Sequence, residues 1–215
     1  MAYPSTNGDI FDSIYRYHWW IFGSGTGSIS AFNRPFIDYV NDFLRSHTEV
    51  HTVVDIGCGD WQIAQHFDLR NREYIGCDVS AVILEKTRTR FAAPRRRFVH
   101  LDAVTDELPD GDLVIVKDVL HHLSNANVSS ILSKLARYKY TIVQNDIYAV
   151  PHKNSDINNG GFRPLDITTL PFNAPFYRTA TYTESLRKPL NMARLLVGLP
   201  AINKGIFVPS TQSAR

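Results

Sequence analysis

The stretch Thr52-Val53-Val54-Asp55-Ile56-Gly57-Cys58-Gly59-Asp60-Trp61 constrains this chain more than any other. A β-branched, apolar run that ends in an acid and a Gly-x-Gly turn describes a buried strand stopping at a tight loop. Glycine at 57 and 59 permits positive φ and lets a ligand approach backbone where a Cβ would otherwise stand. Residues 62–67 are expected to start a helix whose N-terminus faces the same ligand.

A dinucleotide site would require G-x-G-x-x-G/A, so that a pyrophosphate can lie against the helix start. Here the pattern closes on bulky Trp61 and Gln62, which argues against a pyrophosphate and a nicotinamide cofactor. Three more strand-like runs follow. Residues 73–80 end in an acid, Asp78, 23 positions after Asp55. That is close to the roughly 20 positions between a Gly loop and a ribose-binding acid. Residues 97–103 end in Asp102-Ala103, and residues 112–116 run into Lys117-Asp118-Val119-Leu120-His121-His122.

Asp55-Ile56-Gly57-Cys58-Gly59, with Asp78 and Asp102-Ala103 in register behind it, resembles the donor motifs of class I S-adenosylmethionine-dependent methyltransferases. The segments Lys-Asp-Val-Leu-x-His at 117–122, Asn145-Asp146 and Gly-Gly-Phe-Arg-Pro-Leu-Asp at 160–166 resemble a small bacterial-type subgroup that also carries a Gly-Ser-Gly loop, here Gly23-Ser24-Gly25. The resemblance implies a doubly wound α/β fold, with a mostly parallel, seven-stranded Rossmann-like sheet and helices on both faces. It implies one domain over 1–215: an aromatic N-terminal cover and first helices at 1–48, a donor-binding core at 49–146, and an acceptor loop with closing strands at 147–215. It also implies S-adenosyl-L-methionine as cofactor and S-adenosyl-L-homocysteine as product. The residues it assigns to the donor are Trp20, Gly23, Ser24, Asp55, Gly57, Cys58, Gly59, Trp61, Asp78, Val79, Asp102, Ala103, Lys117, Asp118 and His122. Asp78 would accept both ribose hydroxyls, and Asp102-Ala103 would lie beside adenine.

The remaining segments fit that frame. Residues 1–9 read as a loose end, and residues 10–22 as a short aromatic helix. That helix is either a packing element or a lid whose Tyr17 or Trp20 shelters the sulfonium. Residues 23–28 lack a preceding strand and a following Gly-Lys-Ser/Thr, so they form a loop closing over the donor or a plain linker, not a triphosphate site. Apolar spacing predicts helices over 32–46, over 80–91 with Ser80 as cap, and over 125–138. A fifth strand is expected at 140–144, and weaker strands at 177–183 and 190–197.

Methyl transfer from a sulfonium is an in-line displacement, in which the protein aligns the nucleophile and strips its water. A hydroxyl acceptor also needs a base. The candidate catalytic residues are Asp118, His121, His122 and Asp146; Asn145, His152 and Arg163 are candidate acceptor contacts. Adjacent helical histidines diverge by about 100°, so one would pack near the cofactor while the other faces the acceptor. The pair reads equally well as a helix start beside the donor's methionine end. Arg163 either grips an acidic acceptor group or stiffens its loop through Asp156 or Asp166. Asp118, Asn145 and Asp146 also suggest a Mg²⁺ set of the catechol-methyltransferase kind. That group orders the pair Asp-Asn, however, and this chain has Asn-Asp, so no metal is expected.

The acceptor is expected to be small and polar, foremost a sugar hydroxyl of a glycan or nucleotide-sugar, because residues 152–166 are amide-rich and edged with aromatics. N-methylation of a small amine or peptide is the alternative within enzymes, and a non-catalytic S-adenosylmethionine-binding regulatory module the alternative outside them. A formal net charge of +2 implies neither a nucleic-acid partner nor a membrane surface, and the arginines around Pro94 read as a solvated face. No apolar run near 18 residues and no basic leader is visible, so a cytoplasmic protein is expected, with Cys58 and Cys77 reduced.

Overall fold

The computed structural model describes residues 6–20, 24–185 and 187–211. Its strands are β1 (Thr52–Ile56), β2 (Glu73–Asp78), β3 (Arg96–His100), β4 (Leu113–Lys117), β5 (Tyr140–Tyr148), β6 (Phe176–Tyr182) and β7 (Ile202–Pro209). They form one seven-stranded sheet of order β3-β2-β1-β4-β5-β7-β6. The first five strands are parallel, and β7 runs antiparallel to both β5 and β6. Strand order reverses between β1 and β4, which opens a crevice at their carboxyl ends.

Each central strand feeds a core on either side of the sheet. Val54 and Ile56 face one core with Val114, Val116 and Val143. Val53 faces the other with Leu113, Ile115 and Ile142. The helices α1 (Asn7–Arg16), α2 (Arg34–Ser46), α3 (Ala81–Phe91), α4 (Asn125–Leu135) and α5 (Arg187–Leu196) complete the chain. α4 seals the first face through Val128, Ile131 and Leu135, and α2 seals the second through Phe36, Ile37, Val40 and Leu44.

Four expectations are corrected. The segment 1–9 is not wholly a loose end: α1 starts at Asn7, where a reciprocal capping box between Thr6 and Asp9 satisfies the free N–H groups of the first turn. Residues 62–67 do not open a full helix; they give one 3₁₀ turn, Ala64–His66. Asn145 and Asp146 do not follow the fifth strand but lie within it, because β7 pairs with β5 as far as Tyr148. Residues 190–196 belong to α5, not to a strand, with Val197 in the turn behind it, and the last strand is Ile202–Pro209 instead. Lys188, Asn191 and Arg194 hide that helix's period, because its apolar residues face solvent where a strand-like run would face a core.

Candidate active site

A cavity opens at the reversal point, between the loops after β1, β2 and β4 and beneath α1. Gly57 and Gly59 take φ of +76° and +52°, so the loop turns without Cβ atoms on its inner side. A Cβ on Gly57 would stand 2.2 Å from Val119 Cγ2, and one on Gly59 2.6 Å from Ser24 Oγ. Gly57→Ala is therefore expected to strain the loop by about 1–2 kcal/mol. It should weaken donor binding roughly tenfold, which titration calorimetry would read.

Asp78 closes the loop from below. Its carboxylate accepts N–H bonds from Gly59 at 2.9 Å and Ser80 at 2.9 Å. Burial pushes its carboxyl up to about 6, against the pull of those two bonds. Asp55 is likewise pushed up to about 6 by burial, opposed by a 2.6 Å bond from the Tyr74 hydroxyl. Past Asp78 the wall is apolar, with Val79, Leu101, Ala103, Val104 and Ile131, and Asp102 at its edge. The other end is polar, with Ser24, Gly27, Ser28, Lys117 and Asp118. A long cavity with an acid midway, an apolar slot at one end and charge at the other fits a nucleoside joined to an amino acid.

α1 forms the roof. Asp12 accepts from Ser80 Oγ at 2.6 Å and Val82 N at 3.1 Å, tying the helix to the end of β2. Tyr15 donates to Ser24 Oγ at 3.0 Å, and Ser24 in turn accepts from Asp60 N at 3.2 Å. Asn7 donates to Asp102 at 3.0 Å and accepts from Asn159 Nδ2 at 2.7 Å, joining the roof to the long polar loop. Asn7, Phe11 and Tyr15 line the cavity and escaped the sequence reading. A capping box written across a segment that reads as a loose end was the available signal.

Of the residues assigned to the donor by resemblance, Trp20, Ser24, Asp55, Gly57, Cys58, Gly59, Asp78, Val79, Asp102, Ala103, Lys117, Asp118 and His122 line the cavity. Gly23 lies outside the described residues. Trp61 is corrected: it turns to the opposite face of the sheet and packs against Tyr74, Phe91 and Phe98, with Arg96 over its ring. Cys58 and Cys77 are free thiols. Tyr17 is exposed, whereas Trp20 packs inward on Phe11, Tyr15 and His122.

The two histidines stand on a 3₁₀ turn rather than an α-helix, with their rings edge to face at 4.3 Å between centroids. His121 is buried and accepts a bond from Asp146 N on Nδ1, so burial, which lowers its pKa well below the ordinary value, leaves it a neutral packing residue. His122 stands at the cavity wall with Nδ1 2.7 Å from the Gly161 carbonyl. A carbonyl only accepts, so Nδ1 carries the proton and Nε2 keeps its lone pair. Burial lowers the pKa of His122, and the Gly161 bond only partly opposes it. Trp20 and Phe162 flank this ring at 4.8 and 5.9 Å between centroids.

Asp118 and Asp146 belong to a buried ion network. Lys204 Nζ stands 2.8 Å from Asp118, 3.0 Å from Asp146 and 3.4 Å from Glu184. Lys117 pairs with Asp118 at 2.6 Å, and Arg187 with Asp146 at 2.7 Å and Glu184 at 3.0 Å. The position that a divalent ion would occupy between the two aspartates holds an ammonium. Asn145 cannot join them, since neighbouring strand residues point to opposite faces: it lies on the face of Val143 and Ile147, with its amide unpaired. The Mg²⁺ arrangement of Asp118, Asn145 and Asp146 does not form, because the three side chains do not converge. Asp146 and Asn145 are corrected to buried structural positions away from the cavity lining.

The long loop is also corrected. Arg163 donates to the carbonyl of Leu123 at 2.7 Å and to Asn125 Oδ1 at 3.0 Å rather than to Asp156 or Asp166. Asn154 spans Asp166 and Leu170, and Asp156 accepts from Asn125 N. His152 packs edge-on against Tyr148. The amides of this loop hold it to the body of the protein.

A family described as a methyltransferase domain matches residues 54–138, the span from β1 to the end of α4. An uncharacterized methyltransferase of Mycobacterium bovis is 35% identical over 85 residues, which is 39% of this chain and 42% of the relative. Another of Mycobacterium tuberculosis matches to the same extent. Residues 54–138 thus match a methyltransferase domain, over less than half of the chain. The match spans less than half the length of those curated relatives. In fold, the methyltransferase domain and its flanks are similar to magnesium protoporphyrin IX methyltransferase of Synechocystis with bound S-adenosylmethionine, at a TM-score of 0.62 and 16% identity, covering 98% of this chain and 100% of that one. They are also similar to the 1,6-didemethyltoxoflavin-N1-methyltransferase of Burkholderia thailandensis, at 0.60 and 15%, covering 97% and 91%.

Proposed function

We propose that the chain transfers the methyl group of S-adenosylmethionine to a hydroxyl of a small polar acceptor, with a sugar hydroxyl of a glycan or nucleotide-sugar as the first candidate. S-adenosylmethionine supplies an electrophilic methyl group on a sulfonium. The residues present fit it: Gly57 and Gly59 turn the loop at positive φ along the cavity, Asp78 offers free lone pairs to the ribose, and Leu101, Ala103 and Ile131 give an apolar slot for adenine.

His122 carries the reading. Its Nε2 lone pair is fixed by the Gly161 bond at the wall of the same cavity, in position to take a hydroxyl proton as the oxygen attacks. An amine that arrives neutral would attack without such a base. Trp20 and Phe162 beside it offer apolar faces on which a sugar ring packs.

The test is radiolabelled methyl transfer to a panel of sugars, nucleotide-sugars and amines, with products identified by mass and linkage. His122→Ala is expected to lower kcat roughly 10²–10⁴-fold while calorimetry still detects donor binding. Because burial lowers the pKa of His122, the wild-type rate should fall only below the ordinary histidine range, on the acid side, and the variant should lose that limb. Methylation of amines alone, or an unchanged rate for the variant, would refute the hydroxyl reading.

A further inference from the structure

α5 and the turn behind it expose Leu190, Met192, Leu195, Leu196, Val197 and Leu199, with Leu196 87% accessible. The helix is anchored from one side only. Asn191 exchanges two 2.9 Å bonds with Ile202, and Arg187 enters the buried ion network. Ala149 N bonds the Ala201 carbonyl at 2.8 Å, which brings exposed Val150 to the edge of the same patch. Apolar surface this concentrated marks an interaction site.

The charges carried by the helix and the chain after it are of one sign. No aspartate or glutamate follows Glu184 in the sequence, while Lys188 and Arg194 lie on the helix itself. Arg194 donates to the Pro200 carbonyl at 2.7 Å, which holds its guanidinium at the border of the patch. Apolar side chains rimmed by Lys and Arg without acids suit the interface of an anionic bilayer, where headgroups attract the cations and the acyl boundary takes the apolar face. A second copy fits less well, since a two-fold contact would bury two such segments together with their cations and no acid to meet them. The net charge of +2 averages this segment away, which is why composition alone implies no membrane surface. No described helix is long and apolar enough to cross a membrane, so the contact is peripheral.

We propose that α5 and the turn through Leu199 dock on an anionic lipid surface. Arg187 binds Asp146 at the carboxyl end of β5, so docking there turns the edge of the sheet that bears the cavity toward the lipid.

The test is co-sedimentation of the whole chain with phosphatidylcholine vesicles, with and without phosphatidylglycerol. Binding is expected to the anionic vesicles and to weaken with salt. Leu196→Glu with Val197→Glu should reduce it at least tenfold, and Lys188→Glu, which keeps the apolar face, roughly tenfold. All three side chains are exposed, so an unchanged melting temperature serves as the folding control. Absence of binding to either vesicle, or equal binding by the variants, would overturn the proposal. So would a wild-type dimer in sedimentation velocity that the double variant dissolves, which would make the patch a self-interface.

Discussion

Replacing Asp78 by asparagine is expected to cut S-adenosylmethionine affinity roughly 100-fold or more, since hydrogen bonds to a charged acceptor contribute about 1.5–3 kcal/mol each and two ribose hydroxyls lose theirs. The wild-type carboxylate already accepts from Gly59 N and Ser80 N and so is aimed at the cavity with lone pairs to spare. An amide keeps the shape but gives up one acceptor atom and the charge. Burial supplies a second, independent signature. With the Asp78 carboxyl pushed up to about 6, the accepting form predominates only above that pH. Wild-type affinity should therefore weaken as pH falls through about 6, and the asparagine variant should lose most of that dependence. Calorimetry across pH measures both. An affinity equal to wild type would remove Asp78 from the ribose position and reopen the assignment of the whole crevice.

Lys204→Met is expected to destabilise the fold by about 3–5 kcal/mol, the usual result of removing one partner from a buried ion cluster. Lys204 is almost fully buried, and its ammonium touches three carboxylates. Burial alone would push the Asp118 carboxyl up, but Lys117 and Lys204 outweigh it and hold the group well below the ordinary carboxylate range. Asp146 is held down in the same way, against burial, by Lys204 and Arg187. A carboxyl with a depressed folded pKa stabilises the fold above its unfolded value, and that contribution is lost as pH falls through the folded one. The difference between wild type and variant should thus be largest near neutral pH and shrink in acid, once the unfolded-state values near 4 are passed. Denaturant melts at several pH values would show it; a constant difference would mean that Lys204 acts by packing alone.

The donor crevice was legible because each of its parts is local. A Gly-x-Gly turn after a β-branched run, an acid at the end of the next strand and a Ser cap before α3 each rest on a few consecutive residues, and the backbone realises them in place. The acceptor side was legible only as a set of chemical types. His122 and Phe162 stand 40 positions apart, and Asn7 and Asn159 stand 152 apart. Their meeting depends on how a 3₁₀ turn, a loop and a capped helix stack, for which no periodicity exists. Arg163 and Asn154 illustrate the same limit: a polar loop looks like a binding surface until its amides are seen bonding the protein's own carbonyls.

By itself, then, the sequence determined the five parallel strands and the glycine turn and acid at their ends, since strand period and turn chemistry are short-range properties. Tertiary structure decided which polar residues serve the site and which serve the fold. Trp61, Asn145 and Asp146 sit within a few positions of motif residues, yet strand alternation or a turn keeps each out of the cavity lining. Lys204, distant from every motif, became the hub of the ion network because the antiparallel return of β7 sets it opposite Asp146. Direction relative to a sheet face, not identity or spacing, made that choice.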